Sequence, residues 1–350
     1  MMIAGLLVLL TMCAGSFVFY KKPYVKSGPS EAGSVTVIIP ARNEAHNLPH
    51  LLTSLKQQDL PHQCLVIDDG STDETAAIAR QLGATVLTPP KRTDWQGKSA
   101  ACYFGAEHAQ SDYLLFLDAD VILNHSQSLR NLLTCYNGGL MTVQPYHITK
   151  KPYEELSVWF NILTVVGQNS FSAVSGSTPA AFGPVVLTSS AHYFETGGHY
   201  GARGQLIEGF GLAAQFAQHQ LPVTALLGKG TISFRMYSHF QAMTKGWAKH
   251  FASGAAATKP WIMLLIILWM LGSLLSLSLL ILSPQPFSIM MYILYSMHFY
   301  ILSRRVGRFS LVTALFSSLA FIYFLYVFTQ SFIHTFIFKK VEWKGRNLKL

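Results

Sequence analysis

The chain has 350 residues, of which 50% are hydrophobic and only 12% are charged, whereas ordinary soluble domains carry about 25% charged residues. This composition predicts that part of the chain lies in lipid. The formal net charge is +9, and the last fifty residues hold eight basic side chains against one acid, Glu342. Because that basic excess flanks apolar segments, it indicates membrane anchoring and argues against a nucleic-acid partner. The four cysteines have no CxxC spacing, so we expect reduced thiols without a metal or disulfide framework.

An apolar run over residues 2–20 ends at Lys21 and Lys22. Its length is about that needed to cross a bilayer. A cleaved signal peptide has its basic residues before the apolar stretch, and here they follow it. We therefore expect an anchor, residues 1–22, with the amino end outside a bacterial cell membrane and the following domain in the cytoplasm.

Three further apolar runs follow a basic stretch at 235–259: Trp261–Leu282, Phe287–Leu302 and Leu311–Ile333. The first and third are long enough to span a bilayer, and the second is marginal. If every run spans, the basic tail at 339–350 lies outside, against the positive-inside rule. One run is therefore expected to be interfacial or re-entrant. We assign residues 33–258 to a catalytic domain and 259–338 to a membrane region.

Between Val35 and Leu227, short β-rich runs alternate with helical stretches. This pattern is typical of an α/β fold with a mostly parallel, doubly wound sheet. The predicted strands are Val35–Ile39, Cys64–Ile67, Ala84–Leu87, Tyr113–Leu117 and Leu140–Gln144. An apolar stretch at 156–174 is expected to lie at the membrane surface or to line an acceptor groove, with a membrane span as the alternative.

Polar motifs stand where these strands end, which is where such sheets bind ligands. They are Pro40–Glu44, Asp68–Asp73, Gly97–Ser99 and Asp118–Asp120. Thr72 or Asp73 is expected to cap the next helix. Capping leaves the adjacent acids Asp68 and Asp69 unexplained, so they are candidates for binding a base or ribose.

The most informative stretch is Tyr113–Val121, a buried strand that ends in Asp118-Ala119-Asp120. Two acids at a strand end point to a divalent cation, with an acidic turn in solvent as the alternative. Lys98, at a helix amino terminus, would add a charge for a phosphate, although a loop lysine is often only solvated. Together these groups suit a nucleotide sugar, since a metal neutralises the charge on the departing diphosphate.

The motifs PARNE, VIDDGSTDET, GKSAA and LDADV resemble those of family 2 glycosyltransferases of the GT-A fold. QPYHITK, FGPVVLT, TGGH, IEGF, FRMY, KGW and VEWKGR more narrowly resemble the glycosyltransferases of bacterial carotenoid pathways, over nearly the whole chain. The resemblance implies transfer of a hexose, glucose from UDP-glucose, to the carboxylate of a C30 carotenoid acid with inversion. It also implies Mg²⁺ or Mn²⁺, membrane lipid around the protein, and other pathway enzymes as possible partners.

The resemblance also implies roles for individual residues. It sets uracil and ribose against the strand-end motifs, the diphosphate near a lysine, and the metal on the DxD acids. The substrate-binding residues are Pro40, Arg42, Glu44, Asp68, Asp69, Lys98, Asp118 and Trp247, and the metal ligand is Asp120 with Asp118 beside it. Trp247 is equally well explained as an interfacial anchor. His250 is expected to be solvated, with metal binding as the alternative.

Two departures from the family affect the mechanism. Family 2 enzymes commonly carry Glu-Asp late in the domain with the Asp as general base, whereas this chain has Glu208-Gly209. Glu208 is therefore only a candidate catalytic group, and a carboxylate acceptor, already ionised at neutral pH, needs no strong base. The processive Q-x-x-R-W signature is broken in Gln241–Trp247, which predicts single transfer. The alternatives are another lipid acceptor, polyprenyl phosphate or diacylglycerol, and an inactive membrane scaffold.

Overall fold

The computed structural model describes residues 1–29, 33–90, 95–174, 181–203, 208–237, 239–256, 258–333, 340–343 and 346–349. The helices in these ranges are α1 Met2–Val18, α2 Leu48–Lys56, α3 Thr75–Gln81, α4 Lys98–Glu107, α5 Ser128–Cys135, α6 Val158–Val166, α7 Ser190–Glu195, α8 Gly198–Gly201, α9 Glu208–Gln218, α10 Phe240–Ala256, α11 Pro260–Leu282, α12 Pro286–Ser303, α13 Leu311–Leu315 and α14 Ser317–Phe332, with a 3₁₀ helix at Pro152–Ser157. The strands are β1 Val35–Ala41, β2 Gln63–Asp68, β3 Thr85–Leu87, β4 Tyr113–Leu117, β5 Val121–Leu123, β6 Leu140–Gln144, β7 Tyr146–His147, β8 Val185–Ser189, β9 Val223–Leu227, β10 Ile232–Phe234, β11 Lys340–Trp343 and β12 Arg346–Lys349.

The chain divides into two compact units. The sheet unit comprises Pro23–Tyr146 and Pro179–Arg235. The helical unit comprises Met1–Lys22, His147–Thr178 and Met236–Leu350. Two segments that the sequence assigns to the catalytic domain, 147–178 and 236–258, thus belong to the helical unit.

The sheet unit is built on a seven-stranded sheet in the order β3-β2-β1-β4-β8-β6-β9. The first four strands are parallel, and β8 runs antiparallel between β4 and β6. The predicted mostly parallel α/β fold and all five predicted strands are confirmed. Strand β8 is absent from the prediction. It runs antiparallel to both of its neighbours, β4 and β6.

Close packing of α4 on the sheet sets the position of its first residue. A Cβ atom on Gly105 would lie 2.5 Å from the Ile38 side chain, so the helix contacts β1 and β2 more closely than a larger residue allows. Ala101 and Cys102 on the same face are buried. As a result, Lys98 at the amino end of α4 lies at the carboxyl edge of the parallel strands.

The helical unit presents an apolar surface. Among the described residues, nearly all the exposed large hydrophobic side chains lie in this unit, and the exceptions are Phe194 and Tyr200. One helix, α11, is long and apolar enough to cross a membrane, whereas α1 and α14 are apolar but shorter, at 17 and 16 residues.

Two sequence expectations for the helical unit are corrected. The run 311–333 is not one long helix, because it breaks at Phe316 into α13 and α14. The stretch 156–174 forms the short helix α6 of 9 residues, about 13 Å long and too short to span a bilayer. Trp159 and Phe160 in α6 are fully buried, so this helix is part of the core of the helical unit and not a surface helix. The expected acceptor groove stays a prediction.

Candidate active site

The carboxyl ends of β1, β2 and β4 bring the predicted motifs to one edge of the sheet. The pairing of Ala41 with Asp68 aligns the ends of β1 and β2, and Asp118 follows β4 directly. Asp69 N–H donates to the Ala41 carbonyl at 2.9 Å. The predicted clustering at this edge is therefore present.

The loops after β1 and β2 are joined by hydrogen bonds. Asn43, at φ 54°, accepts from Thr72 N–H at 2.8 Å and donates its own N–H to Ser71 Oγ at 3.0 Å. Glu44 N–H donates to Thr75 Oγ1 at 2.8 Å. These contacts give the paired loops a fixed shape.

Two of the aspartates at and beyond the end of β2 have structural partners. Asp68 is buried, and its Oδ1 accepts from Ser71 N–H at 3.0 Å, which closes the turn. Asp73 Oδ1 accepts from Thr75 N–H at 3.1 Å, but the N-cap of α3 is Glu74 and no side chain caps this helix, so the expected cap at Thr72 or Asp73 is wrong. Burial would raise the pKa of Asp73, but the hydrogen bonds that its carboxylate accepts outweigh burial and lower the pKa.

Arg42 contributes to the same edge by donating from Nη1 to the Asp69 carbonyl at 2.7 Å. Glu44 accepts from Asn47 Nδ2 at 2.9 Å and raises the pKa of Asp120 by charge repulsion. Pro40 is a half-buried residue of β1. Arg42, Glu44 and Pro40 thus lie in one region with the DxD acids.

Lys98 is the central cation of the site. Its Nζ lies 2.6 Å from Asp118 Oδ1, donates to the Gly183 carbonyl at 3.0 Å, and lies 3.9 Å from Glu208 Oε1. Burial favours the neutral amine, but the two carboxylates outweigh it and raise the pKa of Lys98. Lys98 is therefore a permanent cation shared between two acids.

The ionised form of Asp120 is destabilised by its surroundings. Burial, followed by the charges of Asp118 and Glu44, raises the pKa of Asp120 to about 8. A carboxylate that holds a proton near neutral pH exchanges it readily for a divalent cation, and clustered carboxylate oxygens are the ligands that Mg²⁺ and Mn²⁺ prefer. The donor set at Asp118 and Asp120 thus fits the predicted metal.

Glu208 begins α9 and contacts residues that the sequence analysis did not bring together. His199 Nε2 lies 2.9 Å from Glu208 Oε1, and Tyr193 Oη lies 2.7 Å from His199 Nδ1. Burial would raise the pKa of Glu208, but Lys98 and the hydrogen bonds from His199 and Ser99 lower it to about 2. Glu208 is consequently an ionised, weakly basic group.

Cys102, His199 and Glu208 place one ligand atom each within 4.8 Å of one another. Burial, followed by the charge of Glu208, raises the pKa of Cys102 and favours the thiol over the metal-binding thiolate. Lys98 already supplies a cation to Glu208. The thiol and the ion-paired carboxylate make this cluster a poorer set of cation ligands than the DxD acids.

The glycines of the TGGH motif allow the backbone to approach Tyr193. Gly197 and Gly198 have φ of 75° and 48°, and a Cβ on Gly198 would lie 2.4 Å from the Tyr193 ring. In the sequence this motif is recognisable only as a family signature. Contact between His199 and Glu208 was not predictable from their spacing.

Gly209 follows Glu208, where the resemblance to family 2 glycosyltransferases leads to the expectation of Asp. A Cβ atom there would lie 2.4 Å from the Ala181 carbonyl oxygen. Real Cβ atoms essentially never come so close, so a side chain at 209 requires movement of the backbone.

Trp247 belongs to the helical unit, where it stacks on Phe160 at 4.9 Å between ring centroids and is 9% exposed. The side chain of His250 lies outside the described residues. The remaining predicted site residues lie in the sheet unit.

Comparison with known proteins gives concordant results. The sequence profile of "Glycosyl transferase family 2" matches residues 36–158. The chain is 45% identical to the 4,4'-diaponeurosporenoate glycosyltransferase of Staphylococcus haemolyticus (strain JCSC1435), over 91% of this chain and 89% of the relative. It is 41% identical to the protein of that name from Staphylococcus aureus (strain USA300), over 99% and 97% of the two chains.

A solved structure supports the fold. A mannosyltransferase from Pyrobaculum calidifontis, in complex with GDP-Man and Mn²⁺, superposes with a TM-score of 0.51 at 17% identity and covers 94% of this chain and 96% of its own. At this identity the similarity supports the GT-A-like fold alone.

Proposed function

Since this chain belongs to glycosyl transferase family 2 and is a nucleotide-sugar glycosyltransferase, we propose that it transfers glucose from UDP-glucose to the carboxylate of a C30 carotenoid acid, 4,4'-diaponeurosporenoate. The reaction breaks the bond between the anomeric carbon and UDP, and a carboxylate oxygen attacks the opposite face to form a glycosyl ester. The main support for this acceptor is the low pKa of the Glu208 carboxyl, which is lowered to about 2.

The weak basicity of Glu208 favours an acceptor that is already ionised. A hydroxyl acceptor needs a base of higher pKa to remove its proton in the transition state. A carboxylic acid is about 99% or more ionised at pH 7 and attacks without such help. The clash at Gly209 supports the same interpretation, because it disfavours the usual Asp in this chain.

The donor side is assigned to the edge formed by β1, β2 and β4. The paired loops carrying Arg42, Glu44 and Asp69 are the proposed site of uridine, with Pro40 and Asp68 shaping it. Lys98 is proposed to face the diphosphate, where its charge offsets the negative charge that grows on departing UDP.

A bound Mg²⁺ or Mn²⁺ would supply further charge stabilisation to the diphosphate. Asp120 is the proposed direct ligand, and Asp118 lies beside it as a second ligand or a ribose contact. Asp118 is ion-paired with Lys98 at 2.6 Å. Full engagement of Asp118 with a cation therefore requires Lys98 to exchange partners, and the diphosphate is the available anion.

We propose that the helical unit is a multi-pass membrane anchor with α1, α11 and α12 as its spans. Trp269 contacts Gly15, and Gly272 contacts Thr11, so α11 runs antiparallel to α1. Ser16 and His298 lie 2.9 Å apart, and Gly5 contacts Phe287, so α12 runs parallel to α1. The carboxyl ends of α1 and α12, with Lys22 and Arg305, then share the cytoplasmic side.

The segment α13–α14 is proposed to be re-entrant. Ser310 and Thr313 near its start bind Glu155, whereas the later Tyr323 lies 2.9 Å from Thr244 Oγ1. The 3₁₀ helix and α10, which carry these partners, both belong to the helical unit. A re-entrant α13–α14 leaves the basic tail in the cytoplasm, as the positive-inside rule requires.

The test is transfer by purified protein in detergent, given UDP-[¹⁴C]glucose, Mn²⁺ and the carotenoid acid. A coloured, alkali-labile product heavier by one hexose supports the proposal. A colourless, acid-labile product formed only from polyprenyl phosphate would replace the acceptor, and a product formed from diacylglycerol would contradict the argument from Glu208. Absence of both transfer and metal-dependent UDP binding would support the scaffold alternative.

A further inference from the structure

The Glu208 carboxylate is restrained by a buried chain of hydrogen bonds. His199 is fully buried and its ring packs edge-on against Phe116 at 4.8 Å between centroids. Tyr193 is also buried, and its Oη lies 2.7 Å from His199 Nδ1. With Glu208 as the terminal acceptor, this chain leads from the core of the sheet unit to the polar site.

The ionised state of Glu208 sets the direction of its hydrogen bond with His199. An ionised Glu208 accepts only, so His199 Nε2 carries a proton and donates across the 2.9 Å contact. In a neutral imidazole, Nδ1 is then the acceptor and Tyr193 O–H the donor. The Tyr193 oxygen in turn accepts from His199 backbone N–H at 3.3 Å. Each group has one consistent role, so the ring is held in one orientation.

The distances around Lys98 are unequal. Lys98 Nζ lies 2.6 Å from Asp118 but 3.9 Å from Glu208, beyond the usual length of a charge-assisted hydrogen bond. Without a restraint, a carboxylate so close to an ammonium closes to direct contact. The donation from His199 Nε2 engages the same oxygen, Oε1, and holds it back.

We propose that His199 is a positioning residue that keeps Glu208 out of direct contact with Lys98, so that Lys98 remains free to exchange Asp118 for the diphosphate of the donor. This inference rests on the proposed contact between Lys98 and the diphosphate. It assigns a function to the TGGH motif: the two glycines place a histidine on Tyr193, and the histidine limits the reach of Glu208.

His199→Phe is the informative variant, since it preserves a ring against Phe116 but cannot donate. Glu208 is then expected to close on Lys98 and compete with the diphosphate. In the presence of Mn²⁺, the Kd for UDP should rise about tenfold while the Kd for uridine stays within about twofold. His199→Gln, which retains an N–H donor, should restore UDP affinity.

The double variant distinguishes positioning from general damage. Glu208→Gln removes the competing charge, so H199F/E208Q should bind UDP as well as E208Q does, and E208Q should suppress the defect of H199F. The proposal would be overturned if the defects of H199F and E208Q multiply in the double variant. It would also be overturned if uridine affinity falls as much as UDP affinity, or if H199Q fails to restore UDP affinity.

Tyr193→Phe provides a second arm if H199F does not fold. It removes the donor to Nδ1 and should weaken UDP binding about two- to threefold without affecting uridine; unchanged UDP affinity in Y193F would overturn the proposal. These readouts need no acceptor. If the wild type and the variants show the expected UDP affinities while the wild type transfers no hexose to the carotenoid acid, the acceptor assignment fails and the role of His199 stands.

Discussion

The Lys98 ammonium lies 2.6 Å from the carboxylate of Asp118, the first acid of the DxD motif. The proposed phosphate-binding cation and a proposed metal-site acid therefore neutralise each other when no donor is bound. Binding of a metal with a diphosphate offers both groups new partners of opposite charge. Donor and metal are consequently expected to bind cooperatively, each favouring the rearrangement that the other needs.

Lys98→Met is expected to separate metal binding from donor binding. Removing the ammonium leaves Asp118 without its ion-pair partner, so Mn²⁺ affinity measured by titration calorimetry should be unchanged or higher. UDP affinity should fall, and turnover should fall about 100-fold, the usual order for loss of one charge-stabilising group. Lys56→Met, on the exposed surface of α2, is the control and should change none of these. Weaker Mn²⁺ binding by K98M would contradict the exchange of partners.

Metal affinity is expected to depend on pH through Asp120. The pKa of this carboxyl is raised to about 8, so below that pH a proton competes with the cation. Mn²⁺ affinity should rise as pH increases toward 8, by up to about tenfold per pH unit, and then level off. Asp120→Ala should abolish transfer while the protein stays in the membrane fraction. Affinity that does not change between pH 6 and pH 8 would rule out Asp120 as a direct ligand.

The same pKa predicts the stability of the metal-free protein. The folded pKa of Asp120, about 8, exceeds the ordinary value of 3.8. Its contribution to stability is therefore fully present below about pH 4 and is lost as pH rises through 8. Asp120→Asn should raise Tm in chelator by about 2–4 °C at pH 8.5, and by less at pH 5. Added Mn²⁺ should reverse this order by stabilising only the wild type.

The strands and their ligand edge could be predicted because local patterns encode them. Tyr113–Leu117 and Leu140–Gln144 are apolar runs bounded by polar residues, and their bounds match the observed strands. Parallel strands bring their carboxyl ends together, so Asp68, Asp118 and Lys98 could be grouped without coordinates.

The partners of Glu208 could not be predicted, because they depend on packing between distant segments. His199 reaches Glu208 only because Gly198 lets the chain lie against Tyr193. Strand β8 is missing from the prediction although its run Val185–Ser189 resembles the other strands; its antiparallel direction could not be predicted, because only the tertiary pairing with β4 sets it.

Substitutions at Gly209 should not restore a general base. Because a Cβ would lie 2.4 Å from the Ala181 carbonyl oxygen, both Gly209→Ala and Gly209→Asp are expected to lower the free energy of unfolding by about 1–3 kcal/mol. The two variants are matched controls, since both add the same Cβ atom and only Asp supplies a carboxylate. Higher transfer by G209D than by G209A, in particular to a hydroxyl acceptor, would contradict the base-free mechanism.

Glu208→Gln tests whether the side chain positions or abstracts a proton. A carboxylate of pKa about 2 contributes little as a base, so turnover should fall only about tenfold. A loss of about 10⁴ would restore a general base. Glu195→Gln, which removes an exposed acid from α7, should leave turnover unchanged. Glu208→Gln should also retain UDP affinity, because Lys98 keeps its contact with Asp118.

The proposed topology predicts the side of the membrane on which each connecting segment lies. Three spans with a re-entrant α13–α14 leave the chain end at residue 350 in the cytoplasm and the turn at 283–285 outside. Green fluorescent protein fused after residue 350 should fluoresce, and alkaline phosphatase inserted at the turn should be active.

If α14 instead crossed the membrane, the green fluorescent protein fused after residue 350 would be dark. The helix α14 has 16 residues, and its exposed apolar residues Leu319, Ile322 and Leu325 recur at helical spacing. One apolar stripe on a helix of this length is typical of a segment that lies along the interface and returns to the side from which it entered.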